Sequence, residues 1–115
     1  MIYYNALEVI PLQTEIGGRR VEWDDNKAAI NFVKHGLKFA TAAKVFLDEN
    51  RYTEIDYEHS EEELRYKTIG MVDNVLTVIH TERGESTRLI SARKATKKER
   101  MIYYGQHFYL SGYED

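Results

Sequence analysis

The sequence predicts an α+β fold in which helices pack on one face of an antiparallel sheet, in the order β-α-α-β-β-β-β-α. Three observations lead there. Apolar residues recur at helical spacing between Asp24 and Leu47. From Arg51 to Lys94 the period shortens toward two, and the dipeptides Asp73-Asn74 and Arg83-Gly84 interrupt it as tight turns. A capping box at Thr96 then opens a last helix.

The elements follow in order. Residues Met1 to Gly18 admit an added strand, a short helix or a loose arm, broken at Gly17-Gly18. Arg19 to Trp23 reads as a strand with Val21 and Trp23 on one face, and Trp23 is expected in the core. Asp24 is the N-cap of a helix from Asp25 to Lys34, and Ala29, Phe32 and Val33 share its apolar face. His35-Gly36 closes it, with Lys34 and His35 at the negative end of the helix dipole. A second helix fits Phe39 to Leu47, where Phe39, Ala42, Ala43, Phe46 and Leu47 form an apolar stripe. Arg51 to Glu58 is a strand and Glu58 to Glu63 an acidic loop. Leu64 to Val72, Val75 to Thr81 and Ser86 to Lys94 complete an antiparallel meander. Thr96 and Glu99 then satisfy each other's free backbone N–H groups in a helix that ends at Gly105, before a tail expected to be weakly ordered.

At 115 residues the chain has room for one domain. With no cysteine it has no disulfide, thiolate nucleophile or cysteine-type zinc site. No apolar run approaches a spanning helix, and no basic-then-apolar leader opens the chain. A cytoplasmic protein with no membrane partner is expected. Net charge is −3, yet charge is segregated: Asp48 to Tyr66 holds eight acids against two bases, and Arg83 to Arg100 seven bases against two acids. Such a dipolar surface can attract a polyanion on one side, or be two solvated faces.

Four linked motifs carry a resemblance. Trp23-Asp24-x-x-Lys27-x-x-x-Asn31-x-x-Lys34-His35-Gly36 is followed by Phe39-x-x-Ala42-Ala43-x-Val45-Phe46, then by Arg65-Tyr66-x-x-Ile69-Gly70. Ile90-Ser91-Ala92-Arg93-x-Ala95-x-x-x-Glu99-Arg100-x-x-Tyr103 closes the set. Together they resemble the BrnT toxins over about residues 20 to 104. The resemblance implies a RelE-like fold and a ribonuclease toxin of a type II toxin–antitoxin pair that arrests translation. It also implies a BrnA-type antitoxin partner, through which the complex meets operator DNA. On this reading residues 19–104 form the toxin domain, 1–18 an N-terminal extension and 105–115 a C-terminal tail.

RNA cleavage without a metal uses the 2′-OH as nucleophile and needs proton transfer and stabilisation of charge on phosphorus. No histidine or carboxylate spacing forms a metal motif, so neither metal nor other cofactor is called for. Arg65 and Arg93 are the leading phosphate-binding candidates, because a guanidinium pairs two oxygens at once. Arg83 and Arg88 are weaker ones, since turn-edge arginines are commonly surface residues. His35 suits proton transfer, although a helix cap explains it as well. His80 and Glu82 share a strand face by alternation and could act as acid and base, or His80 could be a buried, hydrogen-bonded residue. Glu99 could be a base, but the capping box already accounts for it. Lys97 and Lys98 offer general attraction for RNA. Arg100 and Tyr103 lie three apart on one helix face, where Arg100 could hold phosphate and Tyr103 either stacks on a base or packs the helix on the sheet.

Overall fold

The computed structural model describes residues 12–110; the reading of Met1 to Pro11 lies outside them, as does that of the tail beyond Leu110. Strands β1 (Leu12–Ile16) and β2 (Arg19–Trp23) form a hairpin. Its two-residue turn needs positive φ twice, and Gly17 (57°) and Gly18 (79°) supply it. Helix α1 (Asp25–His35) follows, then α2 (Phe39–Ala42) and a 3-10 helix over Ala43–Leu47. Strand β3 (Tyr52–Ile55) leads through a 3-10 turn at Tyr57–His59 to β4 (Tyr66–Val72), β5 (Asn74–Arg83) and β6 (Ser86–Lys94). Helix α3 (Lys97–Leu110) comes last. The architecture is α+β, and the described strands form one sheet in the order β1-β2-β6-β5-β4-β3. No described helix is long and apolar enough to cross a membrane.

Several expectations change. The sheet is mixed: β3 to β6 form the antiparallel meander, but β2 runs parallel to β6, pairing Arg20–Glu22 with Ser86–Arg88. The element order gains β1 at its start. The helices do not share one face. Leu76 and Val78 of β5 point into a core with Val21, Trp23, Phe39, Phe46 and Leu89, beneath α2 and the following 3-10 helix. The alternate residue Val75 packs on the opposite face with Ile69, Ala95 and Tyr103 of α3. Thus α3 crosses to the second face and covers one end of it.

The second predicted helix winds as α only to Ala42. Beyond it, three residues per turn bring Val45 inward beneath Ala42 and leave Leu47 exposed, so the expected stripe breaks at its end. Gly105 ends nothing, and α3 runs through it. In α1 the expected caps are present: Asp24 accepts from Asn26 N–H at 2.7 Å, and Gly36 takes a left-handed φ of 68°. The expected apolar face is not the buried one. Phe32 and Val33 are exposed, as is Ile30, and the one buried residue of α1 is Asn31.

Asn31 has a strand's job. Beyond Arg88, β2 no longer pairs with β6. The Asn31 amide donates to the Ala92 carbonyl at 2.9 Å, while its oxygen accepts from Ala92 N–H at 3.0 Å. A second donation reaches the Leu37 carbonyl at 3.1 Å. One carboxamide therefore satisfies both backbone groups of a buried edge position.

Candidate active site

The face that α3 leaves open is the candidate site. A β-bulge shapes it: Ile79 pairs with Ser91 but His80 with Leu89, which leaves Ile90 as the extra residue. Residues five apart on a regular strand point to opposite faces. With the bulge, Arg88 and Arg93 point to the same one: Arg88 sits beside Glu22 on β2, and Arg93 stands over Thr77. Ile90 and Ser91 both line a cavity of about 300 Å³, together with Arg93, Arg65, Lys67 and His59. Asp56, Glu58 and Ile79 complete its wall.

The cations there differ in how they are engaged. Arg93 is clamped by Glu99, with Nη1 and Nη2 at 2.8 and 2.9 Å from its two oxygens. Glu99 also accepts from Lys67 Nζ (3.2 Å), the Thr77 hydroxyl (2.8 Å) and Thr96 N–H (2.8 Å). The reciprocal bond, Glu99 N–H to the Thr96 hydroxyl at 3.2 Å, completes the expected capping box. Burial raises the pKa of Glu99, but these donors outweigh it and hold the carboxyl far below its ordinary range. Arg65 is different. It sits one residue before β4, and among the described residues its guanidinium makes no hydrogen bond or ion pair. Its backbone is fixed: Arg65 N–H donates to Ser60 Oγ at 2.8 Å, and Asp56 N–H donates to the Arg65 carbonyl at 2.8 Å. The turn carrying Asp56 and His59 is thereby tied to Arg65. His59 donates through Nδ1 to Asp56 Oδ2 at 3.0 Å, since an ionised carboxylate only accepts. Asp56, Glu58 and His59 offer donor atoms within 4.8 Å of one another, a grouping that the sequence spacing does not suggest.

A family model described as "Ribonuclease toxin, BrnT, of type II toxin-antitoxin system" matches residues 23–99. The chain belongs to the BrnT toxin family. Its fold is also similar to the crystal structure of the Brucella abortus ribonuclease toxin BrnT, with a TM-score of 0.52 and 26% identity. That match covers 73% of this chain and 100% of the other. Among curated proteins no match is found.

In this BrnT chain the sequence-predicted residues fall into separate groups. Arg65 and Arg93 meet at the cavity. Arg83 and Arg88 lie on the same open face, but Arg83 is paired with Glu63 through two bonds of 3.0 Å and Arg88 with Glu22 at 3.4 Å. His80 and Glu82 do share a face, and it is the opposite one, under the first helices. His80 is 3% exposed, stacked on Tyr66 and edge-on to Phe46. Its Nδ1 donates to Glu82 at 2.8 Å and its Nε2 meets the Thr68 hydroxyl at 2.7 Å, so both ring nitrogens are engaged. Burial raises the Glu82 pKa, but the bonds from His80 and Thr87 hold it below the usual range. His35 is the last residue of α1, just before the Gly36 cap, and does not line the cavity. Lys97, Lys98 and Arg100 are exposed on the first turn of α3, where Arg100 Nη1 donates to the Ala95 carbonyl at 3.0 Å. Tyr103 packs the helix: it is buried, and its hydroxyl donates to Asp48.

Sequence reasoning passed over Lys67, Asp56, Glu58 and His59. Lys67 carried a signal, being two residues from Arg65 and so on the same strand face. His59 carried none, since an acidic stretch gives no period from which to place a side chain.

Proposed function

We propose that this BrnT chain is a metal-independent RNA endonuclease that lays the RNA backbone across the open sheet face and inhibits translation. The observation behind this reading is the guanidinium of Arg65, which among the described residues makes no hydrogen bond or close ion pair, at the rim of a cavity that Lys67, Arg93 and His59 also line. A phosphate oxygen can take the free Arg65 donors without breaking an existing ion pair. Arg93, held by Glu99, keeps part of its charge toward the cavity and braces α3. A BrnA-type antitoxin is the proposed partner, contacting operator DNA in the complex. The exposed Ile30 and Val33 of α1 are apolar surface of the kind a protein partner covers. The cytoplasm is the proposed compartment.

The test uses purified protein, labelled RNA with and without ribosomes, and excess EDTA. Cleavage that persists in chelator and falls about 10²-fold in Arg65→Ala, with the melting temperature unchanged, is the expected result. Because most basic groups of this face are already ion-paired, a second reading is a non-catalytic module that only binds RNA or its antitoxin. RNA bound but never shortened, on or off ribosomes, selects that reading. Cleavage abolished by EDTA and restored by a divalent ion overturns metal independence.

A further inference from the structure

We infer that His59 is the general base of RNA cleavage and that Asp56 is its positioning residue; this rests on the proposed nuclease site. The side chain of Asp56 is 11% exposed, whereas that of His59 is 62% exposed. A sheltered carboxylate holding Nδ1–H fixes the tautomer and turns the other nitrogen, Nε2, toward solvent with its lone pair free. The opposite arrangement, with both ring nitrogens engaged, is seen at His80.

Position supports the same assignment. His59 and Arg65 both line the 300 Å³ cavity and a neighbouring one of about 220 Å³. The two residues are locked together by one backbone bond and one hydroxyl: Asp56 N–H donates to the Arg65 carbonyl, Arg65 N–H donates to Ser60 Oγ, and Ser60 Oγ–H donates to the Asp56 carbonyl at 2.8 Å. A base and a phosphate-binding cation are thus held at fixed separation before RNA arrives, which is the arrangement that general-base catalysis requires.

The step balances without a metal. Neutral Nε2 takes the proton of the ribose 2′-OH. The 2′-oxygen forms a bond to phosphorus, the P–O5′ bond breaks, and the departing 5′-oxygen takes a proton from water. A 2′,3′-cyclic phosphate and a 5′-OH remain, and His59 returns its proton to the hydroxide so formed. The charged groups facing the imidazole are Asp56 and Glu58 from its own turn, Arg65 and Lys67 from beside and within β4, and Arg93 from β6. Glu61, Glu62 and Glu63 face it from the acidic loop.

The experiment measures cleavage of labelled RNA, free and ribosome-bound, against pH for the full chain and for His59→Ala, His59→Gln, Asp56→Asn and Arg65→Ala, alongside RNA affinity and melting temperature. Expected for both His59 variants is a rate lower by about 10²-fold or more with RNA affinity unchanged. The rise in rate through the imidazole ionisation disappears with it. Asp56→Asn lowers kcat with KM and melting temperature unchanged, because the ring is no longer held in one orientation; a merely structural Asp56 lowers the melting temperature and leaves kcat per folded chain where it is. RNA carrying a 2′-deoxy residue at the cut site resists cleavage, and the wild-type product carries a cyclic phosphate. A His59→Gln chain that cleaves at the full rate with an unchanged pH profile overturns the inference. If Arg65→Ala is slow in that same series, the nuclease site stands without His59; if Arg65→Ala is also unaffected, both readings fall.

Discussion

Arg93 and Glu99 meet through two parallel bonds, at 2.8 and 2.9 Å, across the junction between the last strand and the last helix. Glu99 is 6% exposed and takes further donors from β4, β5 and the start of α3. The pair is therefore a fastening as well as a feature of the site, and mutation of Arg93 reports on folding and chemistry together. Arg65→Ala, at a guanidinium that makes no hydrogen bond or close ion pair among the described residues, separates the two.

Replacing Glu99 with Gln leaves Arg93 and Lys67 facing a neutral amide. The expected loss at pH 7 is about 2–4 kcal/mol, near the range for breaking a buried pair and reduced because Arg93 is one-third exposed. The pKa of Glu99 is depressed in the folded state. Its contribution is thus fully present above the ordinary carboxyl value of 4.5 and drains away as pH falls below it toward the folded value. Urea titrations at pH 7, 4 and 3 should show wild type losing stability with acid, Glu99→Gln losing less, and the gap between them closing.

Asn31→Ala removes three hydrogen bonds and strands the N–H and carbonyl of Ala92. The expected cost is about 2–4 kcal/mol, the desolvation penalty of two orphaned groups. Asn31→Asp, which keeps one acceptor and loses both donors, should recover little. Thermal unfolding followed by circular dichroism measures both.

Gly70 lies against the 3-10 helix. A Cβ there would stand 3.0 Å from Val45 Cβ and 3.3 Å from the Val45 carbonyl oxygen. These atoms are backbone or the Cβ fixed directly to it, so none can rotate aside. Gly70→Ala is expected to destabilise by about 1–3 kcal/mol through overpacking, read as a lower urea midpoint at unchanged slope.

Arg83→Ala is the contrasting case. Its two bonds to Glu63 are well formed, but both side chains are more than 40% exposed. Such a surface pair contributes about 0–1 kcal/mol, so the unfolding midpoint should barely move. A large drop would show that the pair anchors the acidic loop.

The local rules of the sequence were followed where a short stretch decides the outcome. Asp24 and Gly36 cap α1, Thr96 and Glu99 box the start of α3, and paired glycines turn the first hairpin. The alternation that puts His80 beside Glu82 also held. Long-range placement was not readable. Nothing in Ser86 to Lys94 announces the extra residue at Ile90, yet that residue decides that Arg88 and Arg93 face the same way. The apolar count in α1 pointed to Phe32 and Val33 as its buried face, because a polar Asn31 gives no sign that it seats against an unpaired strand edge. The side of the sheet on which α3 lands depends on Glu99 finding Thr77 and Lys67, which are remote in the chain, as well as the nearby Arg93. His59 reaches the site through the bonds that tie the Asp56–Ser60 turn to Arg65, which no periodicity in the acidic stretch foreshadows.

An incoming β-strand from another molecule would seek the N–H and carbonyl of Ala92, the rung vacated where β2 departs. Asn31 already occupies that rung. Growth of the sheet by strand addition is barred there by that side chain together with the helix that carries it.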